Sequence, residues 1–140
     1  MNNLSQPVFG KVSTKALNKA AKYSLAFLWI FTGLTSVFFS PEIGYEILAN
    51  ADITGSLAEV AIYTGGILDI VLGIWLMTSF RIRFCCIVQI SIISIYTVLL
   101  TFIEPSFWLH PFGPITKNIP IIVLIGYVYA SNVTTRSSKI

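Results

Sequence analysis

The sequence predicts an all-α fold: an integral membrane four-helix bundle with both termini on the cytoplasmic side, preceded by a basic amphipathic N-terminal helix. Three observations carry that expectation. Charge is scarce, four long apolar runs divide the chain, and lysine and arginine gather on one side of those runs. Only 11% of the 140 residues are charged and 55% are hydrophobic, with a mean hydropathy of +0.80. A soluble domain carries about 25% charged residues, so this chain lacks the polar coat that a water-facing surface needs. Disorder is excluded by the 14% aromatic content. The length allows one membrane domain. The net charge of +3 and pI near 9.0 do not imply nucleic acid, because the basic residues flank apolar runs instead of forming a groove. The expected partner is the lipid bilayer.

A bilayer core about 30 Å thick needs about 20 apolar helical residues. The first expected span, 23–39, is free of charge and ends at Ser40-Pro41, where proline stops the helix. The second, 57–78, carries Glu59 near its start and Asp69 near its middle. The third, 84–103, is closed by Glu104-Pro105, and the fourth, 119–133, has Pro120 in its first turn, where a missing N–H does no harm. Together 23–133 form the bundle and 134–140 a cytoplasmic tail. No alternating strand pattern competes with these runs.

Orientation follows from the basic residues. Lys11, Lys15, Lys19, Lys22, Arg81, Arg83, Arg136 and Lys139 are eight of the nine, and all fall on one side; the opposite side holds Glu42, Glu46, Asp52, Glu59 and Glu104 with Lys117. Both termini are therefore expected in the cytoplasm. Val37-Phe38-Phe39-Ser40 offers no small-x-small cleavage site, so the first span is read as uncleaved. Residues 1–22 form the basic segment. Its lysines recur at steps of four, four and three, within about 80° of one helical face, as suits either an interfacial helix or a solvated topology signal.

Asp69 is the most informative residue. An aspartate at a helix centre costs about 2.5–3.5 kcal/mol on insertion scales, so it points into the protein and needs a partner or a proton. Gly65, Gly66 and Gly73 share its arc, which predicts close approach of a neighbouring helix. Asp69 reads either as a proton-accepting or ligand-anchoring carboxylate, or as a structural aspartate joining two helices. In the first span Trp29, Gly33 and Ser36 share a face, with Trp29 placed to pack or to line a cavity. In the third, Cys85, Gln89 and Tyr96 share one arc, with Gln89 the expected inward contact. Ser91, Ser94, Thr97 and Thr101 share another, where hydroxyls bond back to their own helix.

No catalytic residue is assigned, and the residues leave open whether the isolated chain is an enzyme while leaning against it. Cys85 and Cys86 are adjacent, without the C-x-x-C spacing of thiol oxidoreductases. His110 is the single histidine, so neither a bis-histidine haem nor a metal site is expected from one chain.

Between the third and fourth spans, Pro105, Pro111, Gly113, Pro114 and Pro120 predict an irregular, ordered cap at the outer membrane surface. Phe107, Trp108 and Phe112 suit the interface. The cap gathers His110, Lys117 and Asn118, with Lys117 a candidate counter-charge for Glu59 or Asp69, or an interfacial lysine that snorkels. The candidate ligand-binding residues are accordingly Asp69, Trp29, Gln89, Tyr96, His110, Lys117 and Asn118; the packing residues are Gly33, Gly65, Gly66 and Gly73.

The run His110-Pro-Phe-Gly-Pro-x-Thr-Lys-Asn-x-Pro120, with Trp29-x-x-x-Gly33-Leu34 and Leu68-Asp69-x-x-x-Gly73, resembles the DoxX-like family of small bacterial membrane proteins over about residues 26–130. The resemblance implies a four-span bundle in the bacterial inner membrane, related to the DoxX subunit of a thiosulfate:quinone oxidoreductase. On that footing the chain is expected to be an accessory or structural subunit of a quinone-linked redox or respiratory assembly, with other membrane subunits or its own copies as partners. Quinone is the candidate ligand, in a lipophilic pocket near Asp69. Two alternatives stand beside it: an oligomeric small-molecule or proton-coupled carrier, and a membrane chaperone.

Overall fold

The computed structural model describes residues 13–110 and 113–137, and all regular structure among them is helical. Helix α1 (Thr14–Leu34) runs on through a π-helical turn at Thr35–Phe39. A short α2 (Pro41–Ala49) follows, then α3 (Ser56–Thr78), α4 (Ile82–Ile103), a 3₁₀ turn at Pro105–Trp108 and α5 (Pro114–Ser137). Three stretches are long and apolar enough to cross a membrane: Thr14–Phe39, Ser56–Thr78 and Ile82–Ile103. α5 is as long, at 24 residues, but Lys117, Asn118 and Pro120 dilute its first turns.

Four boundaries differ from the sequence expectation. The basic segment is no separate helix: Lys15, Lys19 and Lys22 occupy the first turns of α1, because Ala, Lys and Leu favour helix and no glycine or proline separates them from Tyr23. Lys11 and Lys139 lie outside the described residues. Pro41 both ends the first span and begins α2, with Glu42 in the first turn, a start that proline's fixed φ favours. The proline-rich cap is helical from Pro114, five residues before the expected start, and Pro120 sits inside α5. Pro114 supplies an N-terminal proline, and Pro120 forfeits only the bond to the Thr116 carbonyl. The expected tail is also helical as far as Ser137.

The tightest junction joins α1 to α3. A Cβ on Gly33 would stand 2.5 Å from the Gly66 carbonyl, and one on Gly73 2.8 Å from the Ala26 carbonyl. Backbones come this close only where side chains are absent, the small-residue packing that membrane helices use. Gly33, Gly66 and Gly73 thus all serve this junction. Gly65 faces α4 instead, where its Cβ would meet the Tyr96 hydroxyl at 3.2 Å. α5 packs on α4 and on α1, while α3 and α4 touch little despite their short connection. That connection turns on left-handed Ser79 and Arg81 (φ +60° and +44°). The Trp75 indole N–H donates to the Phe80 carbonyl at 2.9 Å.

One buried cluster unites Leu25, Leu72, Leu76, Cys85, Cys86, Ile125 and Val128. It joins the first half of α1 to the second half of α3, the first half of α4 and the second half of α5, so successive long helices alternate in direction. The Lys22 ammonium donates to the Ser79 hydroxyl, which places the basic start of α1 and Arg81 at one end. At the other end Asn50 Nδ2 donates to Glu104 Oε2 at 3.3 Å. The outward faces are apolar, with Phe38, Phe39 and Phe102 more than two-thirds exposed, as lipid contact requires.

Candidate functional site

The glycine-mediated approach of α1 to α3 carries Asp69 inward, since a Cβ on Gly33 would stand 3.1 Å from Asp69 Cβ. Asp69 thereby lines a cavity of about 560 Å³ bounded by four helices. Lys117 and Asn118 of α5 reach it at spacings of three and four residues from Pro114, and Tyr96 and Ile93 close it from α4. α1 contributes Trp29 and the face Ser24, Phe27, Leu28 and Phe31. Phe27 and Phe31 stack with centroids 5.5 Å apart and planes 21° off parallel.

The rim and floor differ. Phe27 and Phe31 are 67% and 57% exposed, whereas Trp29 and Ile93 are each 5% exposed. The mouth therefore opens sideways between α1 and α5. The size falls within the range of small-molecule sites, about 300–1,000 Å³.

Five of the seven residues singled out from sequence meet here: Asp69, Trp29, Tyr96, Lys117 and Asn118. Asn118 is braced, its Nδ2 donating to Thr97 Oγ1 at 2.8 Å while Thr97 donates to the Ile93 carbonyl at 2.7 Å. Gln89 stands behind the cavity, not in it. Fully buried, it accepts the Trp29 indole N–H at 2.9 Å and donates to Cys85 Sγ at 3.1 Å. His110 is exposed on the outer turn, away from the lining. The back-bonding of Ser91, Thr97 and Thr101 to carbonyls four residues earlier is the arrangement their spacing predicts.

Of the cavity's polar groups, Asn118 and Trp29 are bonded, Asp69 is not, and Lys117 is exposed at the rim. Among the described residues no hydrogen bond reaches Asp69, whose Oδ1 is buried without a partner, and no ion pair joins Lys117 to Asp69 or to Glu59. The expected counter-charge role of Lys117 is thus corrected to co-residence: α5 begins early enough to bring Lys117 to the cavity holding Asp69, without pairing them. No group of three His, Cys, Asp or Glu suited to a metal occurs among the described residues. Both cysteines are free and buried.

Sequence reasoning missed Ser24, Phe27, Phe31 and Ile121. Their signal was present: 24, 27, 28 and 31 form one helical face, as do 114, 117, 118 and 121 once the helix starts at Pro114.

A model of the DoxX-like family matches residues 26–126, a span that contains every residue lining the cavity except Ser24. No curated protein matches, and no solved structure matches.

Proposed function

The chain belongs to the DoxX-like family and is a membrane protein; from that premise we propose that it binds a lipophilic small molecule in the cavity beside Asp69 and serves as an accessory subunit of a quinone-linked redox assembly. The observation that carries the reading is a cavity of about 560 Å³ that Asp69 lines with its Oδ1 buried and unpartnered, the exposed Tyr96 and Lys117 standing at its rim. Polar groups at membrane depth are costly unless answered, and space on this scale exceeds a single bridging water, whose share of liquid volume is about 30 Å³. The Phe27–Phe31 pair at the rim and the buried Trp29 make the α1 side of the lining aromatic. The sideways mouth leaves a bound molecule's chain in the lipid.

In this reading α5 completes a fourth crossing, with both termini on the cytoplasmic side of a bacterial inner membrane. The support is the end-on grouping of Lys15, Lys19 and Lys22 with Arg81, held by the Lys22–Ser79 bond, as the positive-inside rule requires. A subunit role is favoured over catalysis, because among the described residues no nucleophilic side chain of the lining is hydrogen-bonded to Asp69, and Cys85 and Cys86 are sealed in the core.

The test is an inventory by mass spectrometry of proteins and lipophilic molecules that accompany the chain out of the membrane in mild detergent. A redox-complex partner and a ring-containing lipid are expected, with the lipid depleted in Asp69→Asn. A protein that migrates alone and carries no such molecule would sink the proposal.

A further inference from the structure

The unpaired groups of the cavity are not interchangeable, and their chemistry restricts what fills it. A carboxyl oxygen accepts hydrogen bonds in either protonation state, whereas a lysine ammonium only donates. Asp69 and Lys117 line one cavity with complementary demands, Asp69 from within, its Oδ1 buried without a partner, and the exposed Lys117 from the rim. The two do not pair with each other. Tyr96 brings a hydroxyl that does both, lying against Gly65 one turn from Asp69. The Asn118 amide is committed in part to Thr97.

Resting on the ligand-binding reading above, we infer that the occupant is a two-ended amphiphile: a flat ring whose one polar substituent donates to Asp69 and whose other accepts from Lys117, with a hydrocarbon tail leaving between α1 and α5. A ring with acceptors at both ends, such as an oxidised quinone, answers Lys117 but meets Asp69 only when its carboxyl is protonated and donates. A plain hydrocarbon answers neither. The aromatic side chains of Phe27, Phe31, Trp29 and Tyr96 in the lining suit a planar body. The exposure of the two phenylalanines fits a mouth that a tail keeps open to lipid.

Three probes of matched length separate the requirements: para-octyloxyphenol, with a donor and an acceptor; para-octyloxyanisole, with acceptors only; and octylbenzene, with neither. Binding to the full chain in lipid nanodiscs is read from the emission of Trp29 in a Trp75→Phe, Trp108→Phe background. The phenol should bind about ten-fold more tightly than the anisole, the worth of one good hydrogen bond. That ratio should fall to about one in Asp69→Leu. Octylbenzene should bind the variant as it binds the parent, which shows that the cavity has kept its shape. Lys117→Met should weaken phenol and anisole alike and leave octylbenzene unchanged. Equal binding of phenol and anisole by the parent protein would overturn the two-ended assignment and leave the ligand-binding reading standing. Failure of all three probes to bind would overturn both.

Discussion

At the scale of single residues, the interior is governed by where a polar atom finds its complement. Gln89 finds two, bridging the Trp29 indole N–H and Cys85 Sγ inside a fully buried setting. Gln89→Leu keeps the volume but strands the indole donor. A stranded buried donor costs about 1–3 kcal/mol, and interhelical bonds in membranes average about 0.6 kcal/mol. The variant should therefore unfold earlier in a denaturing-detergent titration by about 1 kcal/mol. Its Trp29 emission should shift to the blue as the indole loses its acceptor. Gln89→Glu keeps an acceptor for the indole and should restore the emission maximum. Much of this was legible from spacing: Cys85, Gln89 and Tyr96 share an arc in the sequence and one side of α4 in the structure. Depth was not legible. Gln89 lies seven residues, about 10 Å along the axis, nearer the basic end than Tyr96. One therefore supports the floor from behind while the other lines the cavity.

At the scale of helices, two glycine positions on α3 separate packing from propensity. Gly66 sits where an added Cβ would come within 3.0 Å of the Gly33 carbonyl and closer still to Val37. Gly66→Ala forces α1 and α3 apart at the level of Asp69, and overpacking of this kind costs about 1–3 kcal/mol. On α5, nothing stands within 4 Å of the Cβ position of Gly126, so Gly126→Ala should be neutral or stabilise by up to about 1 kcal/mol through helix propensity alone. Unfolding titrations of the two variants side by side check both signs, and Gly66→Ala should also reduce ligand retention because it displaces the cavity wall. The glycine arc around Asp69 made a close helix approach readable from sequence, but not which helix approaches: Gly66 and Gly73 meet α1 and Gly65 meets Tyr96 of α4. The start of α5 was not readable, because prolines at 111, 114 and 120 look alike as helix breakers. Only the first-turn position of Pro114 turns that signal into a start, and on that difference depends the arrival of Lys117 and Asn118 at the cavity.

At the scale of the whole molecule, the alternation of α1, α3, α4 and α5 fixes which loops share a side once any one of them is placed. The charge pattern made the two ends legible: acidic residues collect at one, basic residues at the other, and the Lys22–Ser79 and Asn50–Glu104 bonds close them separately. A fourth crossing rests on less, since α5 buries Ile115, Ile125 and Val128 completely yet is not among the helices apolar enough to span by composition. Its polar residues lie at both ends, Lys117 and Asn118 lining the cavity at one, with Lys117 exposed, and Ser131, Asn132 and Arg136 at the other. A helix whose polar residues gather at its ends, where a lysine snorkels to the interface, needs a shorter apolar middle, so α5 should cross. Single cysteines at Ser13, Ser79, Asn50, Leu109 and Ser137, in a Cys85→Ala, Cys86→Ala background, test this with a membrane-impermeant thiol reagent. Ser13, Ser79 and Ser137 positions should react only in inside-out vesicles, and Asn50 and Leu109 positions only in right-side-out ones. Labelling of the Ser137 position together with Asn50 would mean that α5 turns back before crossing. The cavity wall formed by Lys117, Asn118 and Ile121 would then belong to a re-entrant helix.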